Sequence, residues 1–310
     1  MTSEQNKAIG IFDSGIGGLT VLKAIEEVLP HENLIYLGDT ARVPYGNKSR
    51  ETITRYSIEN TNFLIQSGVK VVVVACNTAS ALAVSELRNK FSVPVLGVIE
   101  PGAKAALSVT RSKEIGVIGT ESTIASSSYS KAIQAMDSKA RVQGLACPLF
   151  VPLVEEGWVE EEVTYSVAQK YLTPFFTFIK DNQPHSGVEG EAPSALGGME
   201  GRERPRMRGA TRAPIIDTLI LGCTHYPLLK EVLAQVMGKK VTLVDSAQET
   251  AQAVKQLLIR KNILRTDSSD RQETLFVTDS PERFRKVGQN FLKRSLEGVA
   301  LTSSVQADAG

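Results

Sequence analysis

Residues 69–76 read VKVVVVAC, an uninterrupted apolar strand that stops at a cysteine. A strand apolar on both faces must be covered on both, which is the condition of a parallel sheet wrapped by helices. The flanking stretches supply those helices. RETITRYSIENTNFLIQSG before the strand and SALAVSELRNKF after it carry helical spacing, the first ending at Gly68. The same rhythm starts at the N-terminus. AIGIFDSG reads as a strand, and LTVLKAIEEVLP as a helix with Val21, Leu22, Ile25, Val28 and Leu29 on one face. NLIYLGD and VPVLGVIE read as further strands. This alternation predicts an α/β fold with mostly parallel sheets.

The pattern then repeats. EIGVIGTEST near residue 115 resembles AIGIFDSGIG near residue 9, and RVQGLACP falls where NLIYLGDT would. TLILGCTHYP matches VVVVACNTAS, and KVTLVDSA matches VPVLGVIE. Gly10 and Gly116 are 106 residues apart, whereas Cys76 and Cys223 are 147 apart. Residues 182–213, rich in Gly, Pro, Glu and Arg and without Ile or aromatics, account for most of the excess. They read as a disordered surface insertion, its five arginines between 202 and 212 a solvated loop. Two pseudo-symmetric α/β domains are therefore expected. The first comprises residues 1–100 with 250–310, because QETAQAVKQLLIRKN, ETLFVTDS and PERFRKVGQNFLKR pack back on it. The second comprises 101–249. The terminal TSSVQADAG reads as frayed.

Composition excludes several classes. Net charge is +1 over 310 residues, so nucleic acid and membrane surfaces are not indicated as partners. No apolar run approaches the roughly 20 residues that span a bilayer, and no signal peptide is visible, so a cytoplasmic protein is expected. Three cysteines are too few for a disulfide framework and point to free thiols.

Two of those thiols end equivalent strands. In open parallel sheets ligands bind beyond the carboxyl ends of the strands. If the two domains face each other, Cys76 and Cys223 meet across the interdomain cleft. A thiolate removes a proton and a thiol returns one, so two thiols on opposite faces of a carbon can invert a stereocentre without a metal or cofactor. Both cysteines precede helix-like segments, whose N-termini are expected to lower their pKa values. Asp13 and His225 are an acid and an imidazole able to tune them. Ser14, Asn77, Thr78 and Thr224 are small polar groups suited to an amino-acid head group.

Each piece has an alternative. A single cysteine at a strand end is commonly a small core hydrophobe, and Cys147 keeps that reading. DSGIGG (13–18) could cradle a phosphate, but its spacing is not GxGxxG and Asp13 would oppose the charge. Cys76, Cys223 and His225 have weak metal-ligand spacing, so no metal is expected. His31 and His185 read as surface residues.

With these residues assembled, the chain resembles the cofactor-independent aspartate/glutamate racemase superfamily, in its glutamate racemase branch. The signatures are IGIFDSGIGGLTVL, YLGDTARVPYG, VVVACNTASA, FVPLVEEG and LGCTHYPLL, spread from residue 9 to about 250. The resemblance implies cofactor-free interconversion of L- and D-glutamate, supplying D-glutamate to peptidoglycan. It implies Cys76 and Cys223 as the two acid/base residues, the latter acting on the L-enantiomer. Asp13 would assist Cys76 and His225 would assist Cys223, with Glu155 a further acid near Cys223. Substrate contacts would fall on Asp13, Ser14, Tyr45, Gly46, Asn77, Thr78, Thr224 and His225. The insertion departs from the family pattern and leaves assembly, a homodimer included, open. Alternatives from the residues are a racemase for aspartate or another amino acid, a non-catalytic amino-acid binding protein, and a thiol-redox protein, the last disfavoured by the lack of CxxC.

Overall fold

The computed structural model describes residues 4–180, 210–267 and 270–303. Two all-parallel sheets form its frame. The first contains β1 (Ala8–Asp13), β2 (Leu34–Gly38), β3 (Val69–Val74) and β4 (Val95–Gly97). The second contains β5 (Glu114–Gly119) and β6 (Arg141–Ala146), and then, after a two-stranded ribbon of β7 (Phe176–Lys180) and β8 (Ala210–Pro214), β9 (Thr218–Gly222) and β10 (Thr242–Val244). β11 (Glu273–Val277) and β12 (Val299–Leu301) return to the first sheet, β11 pairing in parallel with β2. The spatial orders are β12-β11-β2-β1-β3-β4 and β10-β9-β5-β6. Read from β2 and from β6, the shared four strands follow one order. The sequence repeat is thus a repeat of topology, and β3 and β9 are its equivalent strands.

Helices cover both sheets. They are α1 (Leu19–Val28), α2 (Arg50–Gln66), α3 (Asn77–Leu82), α4 (Val84–Lys90), α5 (Ile99–Val109), α6 (Glu121–Ala125), α7 (Ser128–Met136), α8 (Phe150–Glu155), α9 (Glu162–Leu172), α10 (Lys230–Met237), α11 (Ala247–Arg260) and α12 (Pro281–Leu292). β3 is buried along its whole length, Val71, Val72, Val73 and Val74 being fully so. Each such side chain contributes roughly 1.5–3 kcal/mol by leaving water. Lys70, within the same strand, is tolerated because its ammonium meets Glu32 at 2.5 Å and the carbonyls of Gln5 and Ile263 at 2.8 and 2.9 Å. A buried charge needs that many partners. α2 starts at a Ser49 cap, whose hydroxyl accepts from Thr52 N–H at 3.3 Å.

Three expectations need correction. VPVLGVIE is a strand only to Gly97, and Ile99 and Glu100 already belong to α5. Ser80 causes the early turn, because its hydroxyl donates to Val74 O at 2.7 Å and accepts from Val98 N–H at 3.1 Å. The helix read from Ser80 to Phe91 begins instead at Asn77 and is broken at Ala83 into α3 and α4. The insertion expected to be disordered over 182–213 ends in structure. Residues 210–213 lie in β8, antiparallel to β7, with Phe176 opposite Pro214 and Lys180 opposite Ala210. FTFIK has strand-forming composition, and its backbone groups need partners that residues 210–214 provide. Residues 182–209, with His185, lie outside the described residues, as do 304–310 of the terminal stretch.

Candidate active site

β1, β3 and β9 deliver their carboxyl ends to one place. β1 ends at Asp13, fully buried, whose Oδ2 accepts from Gly15 N–H at 3.0 Å. Thr224 Oγ1, from beyond β9, donates to Asp13 Oδ1 at 3.4 Å, so the ends of the two sheets touch here. Two glycines of DSGIGG exist for this approach. A Cβ on Gly17 would strike the Thr224 hydroxyl and meet His225 Nδ1 at 2.5 Å, and one on Gly18 would meet Asp13 Cβ at 2.5 Å. The glycines therefore admit another part of the protein rather than a phosphate.

Cys76 follows β3 as the residue before α3, with extended backbone, and its Sγ lies 3.7 Å from Ser14 Oγ. Cys223 follows β9. Cys76 and Cys223 are 5% and 6% exposed, respectively, and the charge of Cys223 acts on Cys76. The expected lowering of the Cys76 pKa does not occur. Burial, then the Asp13 carboxylate, push its thiol from 9.0 to about 12. That is roughly 4 kcal/mol against the thiolate, several times what a helix terminus supplies. Nor does Cys223 itself cap a helix. The element after it is a 3-10 turn, Tyr226–Leu229, capped by His225.

LGCTHYP is arranged around that turn. Tyr226 N–H bonds to Cys223 O at 3.1 Å, and Pro227 occupies the turn's start, where no N–H donor is required. The buried Tyr226 hydroxyl donates to Cys147 O at 2.8 Å, and its ring meets Phe150 edge-on at 5.2 Å. This anchors the loop so that His225 turns inward. His225 Nδ1 is 3.9 Å from Cys223 Sγ, and Nε2 is 3.2 Å from Glu155 Oε1, at the end of α8. Burial pulls the imidazole pKa down, but bonds to Cys223 and Glu155, with the charges of Cys223 and Asp13, carry it up to about 10. The bond to His225 holds Glu155 below the usual carboxylate range against its burial, and Arg283 assists. Asp13 is raised by burial, which outweighs the charge of His225 and the N–H groups of Gly15 and Gly18.

The remaining expected contacts divide. Asn77 Oδ1 accepts from the Tyr129 hydroxyl at 2.7 Å. Thr78 Oγ1 sits 2.9 Å from Thr120 Oγ1 and 3.3 Å from Thr123 Oγ1. Thr120 and Thr123 were missed by the sequence reading, although GTEST is the repeat's counterpart of the DSG strand end. Tyr45 is buried with its hydroxyl committed to Asp39 and accepting from Asn60 Nδ2 at 3.1 Å. Its side chain therefore braces the loop. Gly46 O accepts from Ser122 N–H and Oγ at 3.1 and 2.8 Å, joining this loop to α6. Cys147 is a fully buried core residue, pushed up to about 12 by burial. His31 is exposed. Among the described residues no cluster of three or more His, Cys, Asp or Glu could hold a metal ion.

Two buried thiols, one with a carboxylate and hydroxyl and the other with an imidazole–carboxylate pair, make a site for taking and returning protons. Such a site on two like half-sheets is that of a racemase. The family model of Asp/Glu/hydantoin racemases matches residues 9–170, and the chain belongs to that family. It is 49% identical over 293 residues to the glutamate racemase of Geobacter metallireducens, covering 94% of this chain and 95% of that one. Its fold matches the crystal structure of a glutamate racemase isoform from Bacillus anthracis with a TM-score of 0.81 at 34% identity, covering 96% of this chain and 98% of that chain. A glutamate racemase from Francisella tularensis in complex with D-glutamate matches with a TM-score of 0.79 at 34% identity, covering 97% of this chain and 98% of that chain.

Proposed function

We propose that the protein is a glutamate racemase, interconverting L- and D-glutamate by proton transfer at Cα and supplying D-glutamate for peptidoglycan. The observation that carries this reading is the burial of Cys76 and Cys223 together at the ends of the equivalent strands β3 and β9. In the L-to-D direction Cys223 Sγ, as thiolate, takes the α-proton, and the C–H electron pair stays on Cα. Cys76 then gives its S–H proton to the opposite face, and the two sulfurs exchange protonation states. A thiol held near 12 is suited to that donation. In the reverse direction the substrate ammonium offsets the cost of a Cys76 thiolate.

His225, cationic at neutral pH, steadies negative charge on Cys223, and Glu155 orients the imidazole. At Cys76 the partners act oppositely to one another: the Asp13 carboxylate favours the protonated thiol, and the Ser14 hydroxyl offers a hydrogen bond to the sulfur. The hydroxyls of Thr78 and Thr224, the amide of Asn77 and backbone groups at Tyr45–Gly46 are the donors for substrate carboxylates. Water exclusion makes such preorganised donors effective against the carbanion.

Two domains, 1–100 with 250–310 and 101–249, belong to this reading, supported by the strand membership of the two sheets. So do a cytoplasmic location, supported by three free thiols, and assembly as a homodimer. No helix among the described residues is long and apolar enough to cross a membrane.

The test is run in D2O with no added cofactor, on L- and D-glutamate separately, for wild type, Cys76→Ala and Cys223→Ala. Optical rotation and α-deuterium are followed. Racemisation by wild type, lost in both variants, is the expected result. Neither rotation change nor exchange with either enantiomer would reject glutamate and turn attention to aspartate.

A further inference from the structure

His225 is approached from a second direction, by an element late in the chain. α12 (Pro281–Leu292) lies nearly 60 residues beyond the loop that carries His225 and packs on α1 rather than on the second sheet. Phe291, buried near its end, sets its ring perpendicular to the His225 imidazole, with centroids 5.7 Å apart. Near its start Arg283 places its guanidinium 3.3 Å from Glu155 Oε2, while Glu155 Oε1 holds His225 Nε2. The two carboxylate oxygens thus face different partners, one on the imidazole and one on α12. Of the adjacent acids, only Glu155 reaches both. Glu156 is 66% exposed and only grazes Arg283 at 4.0 Å.

Each contact alone is modest. Arg283 is 59% exposed, and an exposed ion pair contributes little to stability. Their placement matters more than their strength. One contact limits rotation of the carboxylate, the other limits tilt of the ring, and a single helix supplies both. Rigid support of this kind sets how precisely an acid/base group is aimed.

We propose that α12 positions the acid/base machinery at Cys223, with Arg283 and Phe291 as positioning residues that act through Glu155 and His225. This rests on the proposed racemase reading, in which Cys223 serves the L-face and Cys76 the D-face. Loss of either positioning residue should therefore slow proton transfer at one sulfur only. Equilibrium between enantiomers requires kcat/KM to fall equally in both directions, so rates alone do not reveal the side affected. Substrate isotope effects do. With L-glutamate deuterated at Cα the bond broken is the one at Cys223, and with the D-enantiomer it is the one at Cys76.

The experiment measures deuterium isotope effects on kcat/KM from both enantiomers in wild type, Arg283→Gln, Arg283→Lys and Phe291→Leu, together with the imidazole 15N spectrum. The chain has only three histidines, so His225 is readily assigned. In Arg283→Gln and Phe291→Leu we expect kcat/KM to fall about tenfold, less than the roughly hundredfold that a misplacement near 1 Å can cost. The isotope effect should rise for L-glutamate and shrink for D-glutamate. The His225 signals should move, and Arg283→Lys should restore most of both. Equal isotope effects in variant and wild type, whatever the rate, would overturn the proposal, since a merely structural loss lowers the active fraction alone. Phe291→Leu removes core volume, and Arg283→Gln keeps the test decisive if that variant folds poorly. If wild type does not racemise glutamate, the function reading fails. The imidazole spectrum then decides alone, movement in Arg283→Gln supporting the positioning role and an unchanged spectrum rejecting it.

Discussion

Cys76 and Cys223 end equivalent strands in unlike electrostatic settings. Cys76 has a buried carboxylate and a hydroxyl beside it, whereas Cys223 has a cationic imidazole. The imidazole can be tested directly. We expect His225 to titrate near 10 rather than near 6.5 in a 15N NMR titration, and Glu155→Gln to move it downward. The sign for stability follows. A folded value above the unfolded one contributes stability in full below about pH 6.5, which is lost as pH rises through about 10. Titration of His225 near 6.5 in wild type would contradict the arrangement. Much of the site was legible at this scale. Asp13, Cys76, Cys223 and His225 stand in short polar stretches that close apolar runs, so strand-end logic finds them. Thr120 and Thr123 lie in GTEST, a polar strand end that the repeat pattern marks, whereas Arg283 and Phe291 were not legible as site neighbours, because they reach the centre by tertiary contact. The direction of the Cys76 shift was misread because local helix geometry is visible in a sequence and burial is not.

At the scale of elements, the internal repeat was the strongest signal, and strand order bears it out. Boundaries were weaker where one side chain redirects the backbone. Ser80 ends β4 early from a distance of 18 residues, which no local pattern reveals. The ribbon of β7 and β8 was hidden because an insertion of loop-like composition closes on a strand at its far end. That closure yields a prediction. Lys180 pairs with Ala210 as the outermost pair of an antiparallel ladder, so residues 181–209 can be replaced by Asn-Gly to give a two-residue hairpin. The ribbon precedes β9, whereas Cys223 follows it. The shortened protein should keep kcat and KM within about twofold, given that surface changes away from special features usually cost under about 0.5 kcal/mol. A folded deletion variant with much lower turnover would show that the segment reaches the site.

Across the whole molecule, the loop before α2 and the start of α6 are tied by two hydrogen bonds from Ser122 to Gly46 O. The threonine cluster of Thr78, Thr120 and Thr123 adds a second tie, from α3 to the start of α6. We expect these contacts to help close the site over bound substrate. Ser122→Ala removes the side-chain bond and keeps the backbone one. One such bond contributes about 1 kcal/mol, so KM for glutamate should rise roughly fivefold with kcat changed less than about twofold. Steady-state kinetics from both enantiomers checks this, and an unchanged KM would mean that this contact does not set the closed state.

The concealment of both sulfurs carries one more consequence for the proposed reaction. Each turnover leaves the hydrogen on the opposite sulfur, so the resting enzyme has two forms, each ready for one hand of the substrate. A protein that has just converted an L molecule is poised for D, and must trade hydrogens with solvent before it takes L again. With Cys76 and Cys223 only 5% and 6% exposed, that trade requires solvent to reach buried side chains. At abundant substrate of a single hand, that reset is therefore a required step of every cycle, alongside the chemistry at carbon.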